Sequence, residues 1–455
     1  MSGVGVLHVT SAEGGGADRY IRDLATLPGH HWIWHAAAGV IEDIATRRFY
    51  AAPGDAALAR WLGETPAGIV HLHGLTPECR AVVARIGRAR ALPLVVTLHD
   101  IAFVAPRAFE GDVAADAAQV SAVAPLLATA SAVVVPSRFI DDLVHANFPG
   151  VATTCVAPGI DVRAGGARTP PAVAPEFTAL ARRLRVAIVG AIGPHKGSDR
   201  LVALAEGLAS LDATLVVIGY TDTALERGWR LPGTLYVHGP YEDGTLGAWL
   251  DAYGASVALF ANRLPESFSY ALSETWAARR PAIVPGDGAL GERVRDGGGG
   301  WRIASDCFVA DAGALLARLA APGGAREIAQ VESALAVDDS QRIPTLAAMK
   351  DAFTGLYARY AKPGAASGSA DALAPLVAAN VDGTLFRREL VRLVDDLAAQ
   401  RAWNAKLEAD IAELKSAIDK LGDDNRKLAD VRDAFVQMPA FVQRFLIKQA
   451  FRGRG

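Results

Sequence analysis

The sequence is poor in cysteine and has no long apolar run. Its three cysteines, Cys79, Cys155 and Cys307, are far apart in a chain of 455 residues and form no CxxC pair. This spacing favours neither a disulfide framework nor a zinc site, and it fits a reducing compartment. No apolar run approaches the roughly 18 residues that a membrane helix needs. We therefore expect a cytoplasmic protein, either soluble or peripheral to a membrane.

Basic residues are not in excess either. The formal net charge is −3 and the isoelectric point is about 6.4, so we expect no nucleic-acid partner. The first apolar run, Val4–Val9, follows no basic segment and is short, which is not the pattern of a signal peptide. Hydrophobic residues make up 51% of the chain, enough for a sizeable core. The length suggests two domains with an extension.

Short apolar runs alternate with helical patterns in two successive blocks. The strand candidates are Val4–Val9, Ile69–Leu72, Leu94–Leu98, Ala132–Val135 and Thr154–Val156 in the first block, and Arg185–Val189, Thr214–Ile218, Leu235–Val237, Val257–Phe260 and Ala282–Val284 in the second. Such runs are typical of buried parallel strands in βαβ units. They predict an N-terminal Rossmann-like domain over 1–165 and a C-terminal one, with its return helix, over 176–360. A stretch rich in proline and glycine separates the two.

The chain changes character after 360. We assign 361–380 to a linker, because glycine, alanine and serine are frequent there. A heptad pattern follows over 381–432, with Leu390, Leu397, Asn404, Ile411, Ile418 and Asn425 seven residues apart and a leucine-rich row three residues later. The pattern predicts an α-helical coiled coil, and its asparagines favour a parallel homodimer. The alternative is a long helix packed on the rest of the chain.

Residues 433–455 form a basic amphipathic tail. It contains Arg444, Lys448, Arg452 and Arg454 between aromatic and aliphatic residues. One interpretation is peripheral contact with an anionic membrane, on the inner face of the cytoplasmic membrane. The other is that the apolar residues pack on the body of the protein or on a protein partner.

Two glutamates, Glu266 and Glu274, bracket a segment that leaves a strand candidate and enters a helix. Their carboxylates can accept hydrogen bonds from sugar hydroxyls. The backbone N–H groups at the start of the helix suit an anion. The alternative is a pair of unrelated acids, one on the surface and one on a helix face.

Two glycine-rich loops follow strand candidates. Gly14–Gly16, with Gly15 and Gly16 at a helix start, allows a ligand to approach the backbone closely. Gly190 opens the second loop, which ends at Lys196 and Gly197, and its lysine can neutralise phosphate. Neither loop is a Walker A or GxGxxG sequence. Both can also be read as structural turns.

Two further residues lie directly after strand candidates. His99 ends the Thr97–Asp100 segment, which places it at the carboxyl edge of a sheet, where ligands bind. The alternative is a core or capping histidine. Arg138 follows Pro136 and Ser137 and could either reach a phosphate or form a surface ion pair.

These segments together resemble the family-4 retaining glycosyltransferases, over about residues 4–360. The shared motifs in the first half are GGG at Gly14–Gly16, LHD at Leu98–Asp100, PS at Pro136–Ser137 and VAPGID at Val156–Asp161. Those in the second half are VGAIGPHKG at Val189–Gly197, VIG at Val217–Gly219, HGPY at His238–Tyr241 and PESFSYALSE at Pro265–Glu274. Their order and spacing agree with the family.

The resemblance implies a GT-B fold, with two Rossmann-like domains facing across a cleft, and a role for each matched residue. The expected catalytic residues are His99 and Glu266 near the donor sugar and Lys196 at the diphosphate. Glu274 would bind the ribose, backbone amides around Ser267, Phe268 and Ser269 would help to bind the diphosphate, and the segment from His238 to Tyr241 would lie near the base. The first domain would hold the acceptor. The family needs no essential metal, so we expect no metal site and no cofactor other than the nucleoside-diphosphate sugar that acts as donor.

The chain departs from the family in two features. Many members carry an arginine where this chain has Ala191, so phosphate neutralisation would rest on Lys196, with His195 or Arg138 as candidate helpers. The coiled-coil extension is not required by the family. The resemblance still implies transfer of a hexose to a glycan or lipid-linked glycan acceptor, with retention, in bacterial surface polysaccharide synthesis such as that of O-antigen. The alternatives are an epimerase-like GT-B enzyme acting on sugar nucleotides, and a non-catalytic scaffold that recruits partners through its coiled coil.

Overall fold

The computed structural model describes residues 3–11, 14–51, 55–161, 172–178, 184–224, 227–335, 342–362 and 377–379, together with isolated helical residues between 415 and 443. It divides into two units, Met1–Phe386 and Arg387–Gly455. Apart from those isolated residues, the predicted coiled coil and basic tail lie outside the described residues. Among the described helices, none is both long enough and apolar enough to cross a membrane.

Strands and helices alternate through the first part of the chain. The strands are β1 (Gly5–Thr10), β2 (His31–His35), β3 (Val40–Asp43), β4 (Arg48–Ala51), β5 (Ala67–Leu72), β6 (Leu94–Thr97), β7 (Ala132–Val135) and β8 (Thr153–Cys155). The helices are α1 (Gly15–Leu24), α2 (Asp55–Glu64), α3 (Pro77–Ala89), α4 (Ala117–Thr129) and α5 (Arg138–Asn147). Every residue of β1 and β5 is buried, because helices cover both faces of a parallel sheet.

A β-meander extends this sheet in a way that the sequence reading missed. β2 runs parallel to β1, but β3 pairs antiparallel with β2, and β4 antiparallel with β3. Polar residues interrupt the apolar runs here, yet they are buried in pairs. Glu42 accepts a bond from His35 at 3.2 Å and from Arg22 at 3.2 Å. Pairing of this kind lets charged residues enter a strand, and it hides the strand from a search for apolar runs.

The second block forms a seven-stranded sheet in the order β11-β12-β10-β9-β13-β14-β15. Its strands are β9 (Leu184–Ile192), β10 (Ala213–Thr221), β11 (Gly228–Leu231), β12 (Leu235–Val237), β13 (Val257–Leu259), β14 (Ala282–Pro285) and β15 (Gly300–Ile303). Its helices are α6 (Pro175–Thr178), α7 (Ser198–Gly207), α8 (Leu246–Ala252), α9 (Tyr270–Ala277), α10 (Gly288–Gly297), α11 (Phe308–Ala320) and α12 (Gly324–Leu335). Among the described strands of this sheet, β11 alone is antiparallel to its neighbour. Each of the ten strand candidates coincides with a strand, and the fold is the expected α/β architecture with two parallel-dominated sheets.

The chain then returns to the first sheet. Helix α13 (Leu346–Tyr360) packs Met349, Phe353 and Tyr357 against residues of the N-terminal core such as Val6 and Tyr20. Strand β16 (Val377–Ala379), within the predicted linker, pairs antiparallel with β4 and completes the sheet order β16-β4-β3-β2-β1-β5-β6-β7-β8. The range 176–360 therefore ends in a helix that packs on the N-terminal sheet.

Candidate active site

The carboxyl ends of strands from both sheets open into one cavity of about 1330 Å³. The start of α1 and the residues after β6 line it on one side. The end of β9 and the segment before α9 line it on the other. Ligands of open α/β sheets bind at this edge. The cavity exceeds the roughly 300–1,000 Å³ of a usual small-molecule pocket, so it has room for two ligands.

The segment before α9 has a strained backbone, which hydrogen bonds and a ring contact hold in place. Ser269 has a φ of 85°, a conformation that costs a non-glycine residue on the order of 1–3 kcal/mol. Its side chain caps α9 by accepting a bond from the N–H of Leu272 at 3.3 Å. Arg293 donates to the Ser269 carbonyl at 2.9 Å and stacks over the Phe268 ring at 4.1 Å. These contacts fix the N-terminus of α9 at the cavity, where its N–H groups suit an anion.

Arg293 itself is buried among aromatic rings. Burial lowers the pKa of its guanidinium to about 9, which leaves it positive at neutral pH. It also donates to the Ser273 hydroxyl at 2.8 Å and lies 5.1 Å from the centre of the Trp276 ring. The side chain therefore ties the loop before α9 to the helix that follows it.

Lys196 and Glu266 lie close together on the C-terminal side of the cavity. The Lys196 ammonium is 3.9 Å from a Glu266 carboxylate oxygen, and the Asn262 amide donates to the same oxygen at 2.8 Å. Lys196 ends a short 3₁₀ turn, and Gly197 follows it with a φ of 79°. A Cβ at Gly197 would lie 2.1 Å from the carbonyl oxygen of Ala261, so this turn depends on glycine.

Glu274 has a partner from the opposite side of the cleft. The Arg19 guanidinium, on α1, donates to its carboxylate at 2.6 Å and stacks 4.5 Å above the Tyr270 ring. Burial alone would lower the pKa of Arg19, but the Glu274 carboxylate more than offsets it and the pKa is raised. A Cβ at Gly16 would touch the Tyr270 ring at 3.4 Å, so the glycine loop and α9 face each other closely.

His99 and Asp100 complete the N-terminal side. The Ser267 hydroxyl donates to the backbone carbonyl of His99, which joins the two halves of the cleft. Burial lowers the pKa of His99 to about 4, so its imidazole is neutral at pH 7. Burial also raises the pKa of Asp100.

The structure brings most of the predicted site residues together. Those that line the cavity are Gly15, Gly16, His99, Gly190, Lys196, Tyr241, Glu266, Ser267, Phe268, Ser269 and Glu274. Ala191, where many family members have arginine, also lines it.

Two predicted residues are not part of the lining. Arg138 begins α5 and forms ion pairs with Glu292, at 3.6 Å, and with Asp296, which is the surface pairing that its sequence context left open. His238 is 2% exposed. It hydrogen-bonds the Tyr253 hydroxyl at 2.8 Å, and burial lowers its pKa to about 4. Its ring centre lies 3.9 Å from that of Trp249, and it is not among the residues that line the cavity.

Sequence reasoning missed several residues of the site. Asp100 belongs to the LHD motif but was given no role, Arg19 lies three residues after the Gly14–Gly16 loop, and both line the cavity. Asn262, four residues before Glu266, also lines it. Arg293 gave no usable signal, because it lies 19 residues after Glu274 and reaches the loop only through the packing of α10 on α9.

Three buried histidines lie behind His99. Ring nitrogens of His8, His71 and His73 are all within 4.8 Å of one another, close enough for one metal ion. All six ring nitrogens, however, already have hydrogen-bond partners within the described chain. The cluster is therefore a completed hydrogen-bond network.

Comparisons with known proteins agree with this architecture. Residues 14–164 match the model of Glycosyltransferase Family 4. None of the curated proteins compared with the sequence matches it. Among solved structures, HepE of Anabaena, in complex with UDP and glucose, is 15% identical with a TM-score of 0.57, covering 78% of this chain and 100% of that chain. Sucrose-phosphate synthase of Thermosynechococcus elongatus is 16% identical with a TM-score of 0.60, covering 78% of this chain and 98% of that one.

A glycosyltransferase from Rickettsia africae is 12% identical with a TM-score of 0.53, and the match covers 79% of this chain and 99% of that chain. The fold and the cleft thus define a two-domain protein of the GT-B class. Within that fold, residues 14–164 are similar to Glycosyltransferase Family 4.

Proposed function

We propose that this protein transfers a hexose from a nucleoside-diphosphate sugar to a glycan or lipid-linked glycan, with retention of the anomeric configuration. One observation carries the proposal. A cation, Lys196, a carboxylate, Glu266, and the N-terminus of α9 converge on one side of a cavity, and His99 and the Gly14–Gly16 loop face them from the other side. A diphosphate fits Lys196 and the helix N-terminus, while sugar hydroxyls fit Glu266 and the groups on the opposite side.

The chain's own residues would act mainly by electrostatics. Negative charge grows on the diphosphate as the glycosidic bond breaks. Lys196 and the helix N-terminus stabilise that charge in a site whose strained loop is already held by Arg293. Because the Lys196 ammonium and the helix N–H groups are fixed before the reaction, little reorganisation is needed in the transition state.

The neutral state of His99 favours this assignment. With a pKa of about 4, it adds no charge at pH 7, and its neutral ring can exchange hydrogen bonds with sugar hydroxyls. The Arg19–Glu274 pair supplies a further cation where the family arginine is missing at Ala191. Arg19 could turn toward a phosphate when ribose hydroxyls replace it on Glu274.

A transfer assay tests the reaction and its stereochemistry together. Purified protein is incubated with UDP-, GDP-, ADP- and dTDP-hexoses and an oligosaccharide acceptor, starting with UDP-glucose because the Anabaena relative was crystallised with UDP and glucose. We expect a new glycoside whose anomeric proton coupling matches that of the donor. The opposite anomer would contradict retention. Donor hydrolysis or epimerisation without acceptor would favour an epimerase-like enzyme, and binding without turnover would favour a scaffold.

We also propose, from the sequence, that 381–432 joins two copies of the chain and that 433–455 contacts an anionic membrane, so that the enzyme works beside bacterial surface polysaccharide precursors in the cytoplasm. Light scattering on full-length protein and on a truncation after Phe386 tests the first point, since we expect a dimer and a monomer. Flotation with anionic liposomes tests the second. Equal masses, or equal failure to float when 434–455 are removed, would contradict the respective point.

A further inference from the structure

A line of histidines crosses the N-terminal sheet and ends at the cavity. His31 is on β2, His8 on β1, His73 directly after β5 and His99 after β6, four strands that lie side by side in the sheet. The first three side chains are buried, with exposures of 3%, 0% and 2%. His99 lines the cavity. The strand order therefore carries a polar path through an otherwise apolar core.

The four rings form a continuous hydrogen-bond chain. Nε2 of His31 is 3.2 Å from the backbone carbonyl of Leu27, and Nδ1 of His31 is 3.0 Å from Nε2 of His8. Nδ1 of His8 is 2.9 Å from Nε2 of His73, and Nδ1 of His73 is 3.0 Å from Nε2 of His99. Every ring thus uses Nε2 toward one end of the chain and Nδ1 toward the other.

The carbonyl at the far end gives the chain a direction. A carbonyl only accepts, so Nε2 of His31 must carry the proton, and the Nδ1 of that neutral ring must then accept. The same step repeats at His8 and His73, because a neutral imidazole has one donor and one acceptor. The rings are neutral, since burial lowers the pKa of His31 and His99 to about 4 and those of His8 and His73 well below 6.5.

We infer that this chain of four histidines fixes His99 as the Nε2–H tautomer, so that its Nδ1 faces the cavity as a hydrogen-bond acceptor only. Within the described part of the chain, Nδ1 of His99 has no hydrogen-bond partner. His31, His8 and His73 are then positioning residues, which act through His99. Reversing the tautomer of His99 would require all four rings to change tautomer. The Leu27 carbonyl would then face the unprotonated Nε2 of His31.

This tautomer restricts the ligand group that His99 can contact. An accepting nitrogen binds a hydroxyl and is repelled by phosphate oxygens, which are acceptors at neutral pH. Resting on the proposed function, we assign His99 to a hydroxyl of the donor sugar or of the glycan acceptor, and not to the diphosphate. The four-histidine chain therefore favours ligands that place a hydroxyl next to Nδ1 of His99.

His71 provides an internal control. It is equally buried and lies in the same cluster, but its ring nitrogens bond the hydroxyls of Tyr357, at 2.6 Å, and Thr97, at 2.7 Å. Hydroxyls rotate and can donate or accept, so they impose no direction. Tyr357→Phe therefore perturbs the histidine cluster without removing a hydrogen bond of the four-histidine chain.

Nuclear magnetic resonance of the full chain labelled with ¹⁵N-histidine tests the inference. The chain has ten histidines, and the His99 signals are those lost in His99→Gln. At pH 7 we expect a proton on Nε2 of His99 and a bare Nδ1. A proton on Nδ1, a mixture of tautomers or a doubly protonated ring would overturn the assignment. This readout on the free wild-type protein does not depend on the transferase proposal or on any further variant.

Variants and ligands then test the cause and the consequence. In His31→Phe, which removes the anchored end, we expect the second tautomer of His99 to appear, whereas Tyr357→Phe leaves one tautomer. If His99 keeps a single tautomer in His31→Phe, the four-histidine chain does not set that tautomer. Either a nucleotide sugar or an oligosaccharide acceptor should shift the Nδ1 signal, and the nucleoside diphosphate alone should not. A shift with the diphosphate alone would overturn the hydroxyl assignment, while binding of none of these ligands would count against the proposed function.

Discussion

At the scale of single residues, Glu266 and Glu274 have different partners and should have separable effects. Glu266 is bonded to Asn262 and lies near Lys196, while Glu274 holds Arg19. We expect Glu274→Gln to weaken binding of the nucleoside diphosphate and of the nucleotide sugar alike. We expect Glu266→Gln to weaken only the nucleotide sugar. A hydrogen bond to a charged group contributes about 1.5–3 kcal/mol, which is roughly 10–100-fold in affinity.

Calorimetric titration of both variants with both ligands measures this difference. Glu206→Gln, on the exposed side of α7, is a matched control and should bind both ligands like the wild type. Equal losses for the two ligands in Glu266→Gln would remove this residue from the sugar side of the site.

Local motifs let the sequence predict these residues. Lys196, Glu266 and Glu274 stand at fixed distances from strand ends, and a strand end fixes where the following residue lies. His238 and Arg138 also follow strands, yet packing turns the first into the core and an acidic neighbour on α10 binds the second. Arg293 could not be predicted, because its role depends on how two helices pack.

At the scale of elements, two glycines near α7 give opposite expectations for one substitution. Gly197, before the helix, has a positive φ, and a Cβ there would meet the Ala261 carbonyl at 2.1 Å. Gly207 ends α7, and a Cβ there meets nothing within 4 Å. We expect Gly197→Ala to destabilise the fold and displace Lys196. We expect Gly207→Ala to be neutral or to stabilise by up to about 1 kcal/mol.

Urea unfolding and donor titration of both variants check this pair. We expect weaker donor binding in Gly197→Ala and unchanged binding in Gly207→Ala. If the two variants bind alike, the turn at Gly197 does not position the lysine.

The strands themselves were predictable to different degrees. Buried parallel strands such as β7 read as continuous apolar runs, and their bounds were found directly. β2 and β3 carry His35, Glu42 and Asp43, which are buried and paired with one another or with neighbours on other elements. A single sequence does not show such pairings, so the β-meander was missed.

At the scale of the whole molecule, the buried histidines make stability depend on pH. The pKa values of His31 and His99 are lowered to about 4, and burial holds those of His8, His71 and His73 well below 6.5. Between pH 6.5 and 4 the unfolded chain binds protons that the folded chain does not. The contribution of these histidines to the free energy of unfolding is therefore fully present above pH 6.5. It decreases as pH falls below 6.5, by about 1.4 kcal/mol per pH unit for each such histidine.

Urea unfolding at several values between pH 7.5 and 5 measures this slope. His31→Phe should show a shallower slope than the wild type, since one titrating ring is gone. A free energy of unfolding that stays constant as pH falls through 6 would show that these rings bind protons as readily in the folded protein as in the unfolded chain.

The Glu292 carboxylate joins the N-terminal and C-terminal Rossmann-like domains. Glu292, on α10, accepts bonds from the N–H groups of Arg138 and Phe139 at the start of α5, at 3.2 and 2.7 Å. We expect Glu292→Ala to populate an open arrangement, visible as a larger radius of gyration in X-ray scattering. If the closed fraction falls to about a tenth, the apparent Kd for donor rises about tenfold.

Arg138→Ala is the control for this contact. It removes the ion pairs of the exposed Arg138 side chain with Glu292 and Asp296 but keeps the bonds that the helix N–H groups donate to Glu292, and exposed pairs contribute little. A radius of gyration equal to that of the wild type in Glu292→Ala would show that the carboxylate does not hold the two halves together.

The central claim is that the cavity binds a nucleotide sugar through Lys196 and transfers its sugar. The most direct measurement is the rate of transfer by Lys196→Ala at saturating donor, with Lys420→Ala, in the second unit of the chain, as the matched control. Removing one electrostatic donor to the leaving group costs about 100-fold or more in rate. We expect such a loss in Lys196→Ala, with unfolding like that of the wild type, and none in Lys420→Ala. Transfer by Lys196→Ala at the rate of the wild type would contradict it.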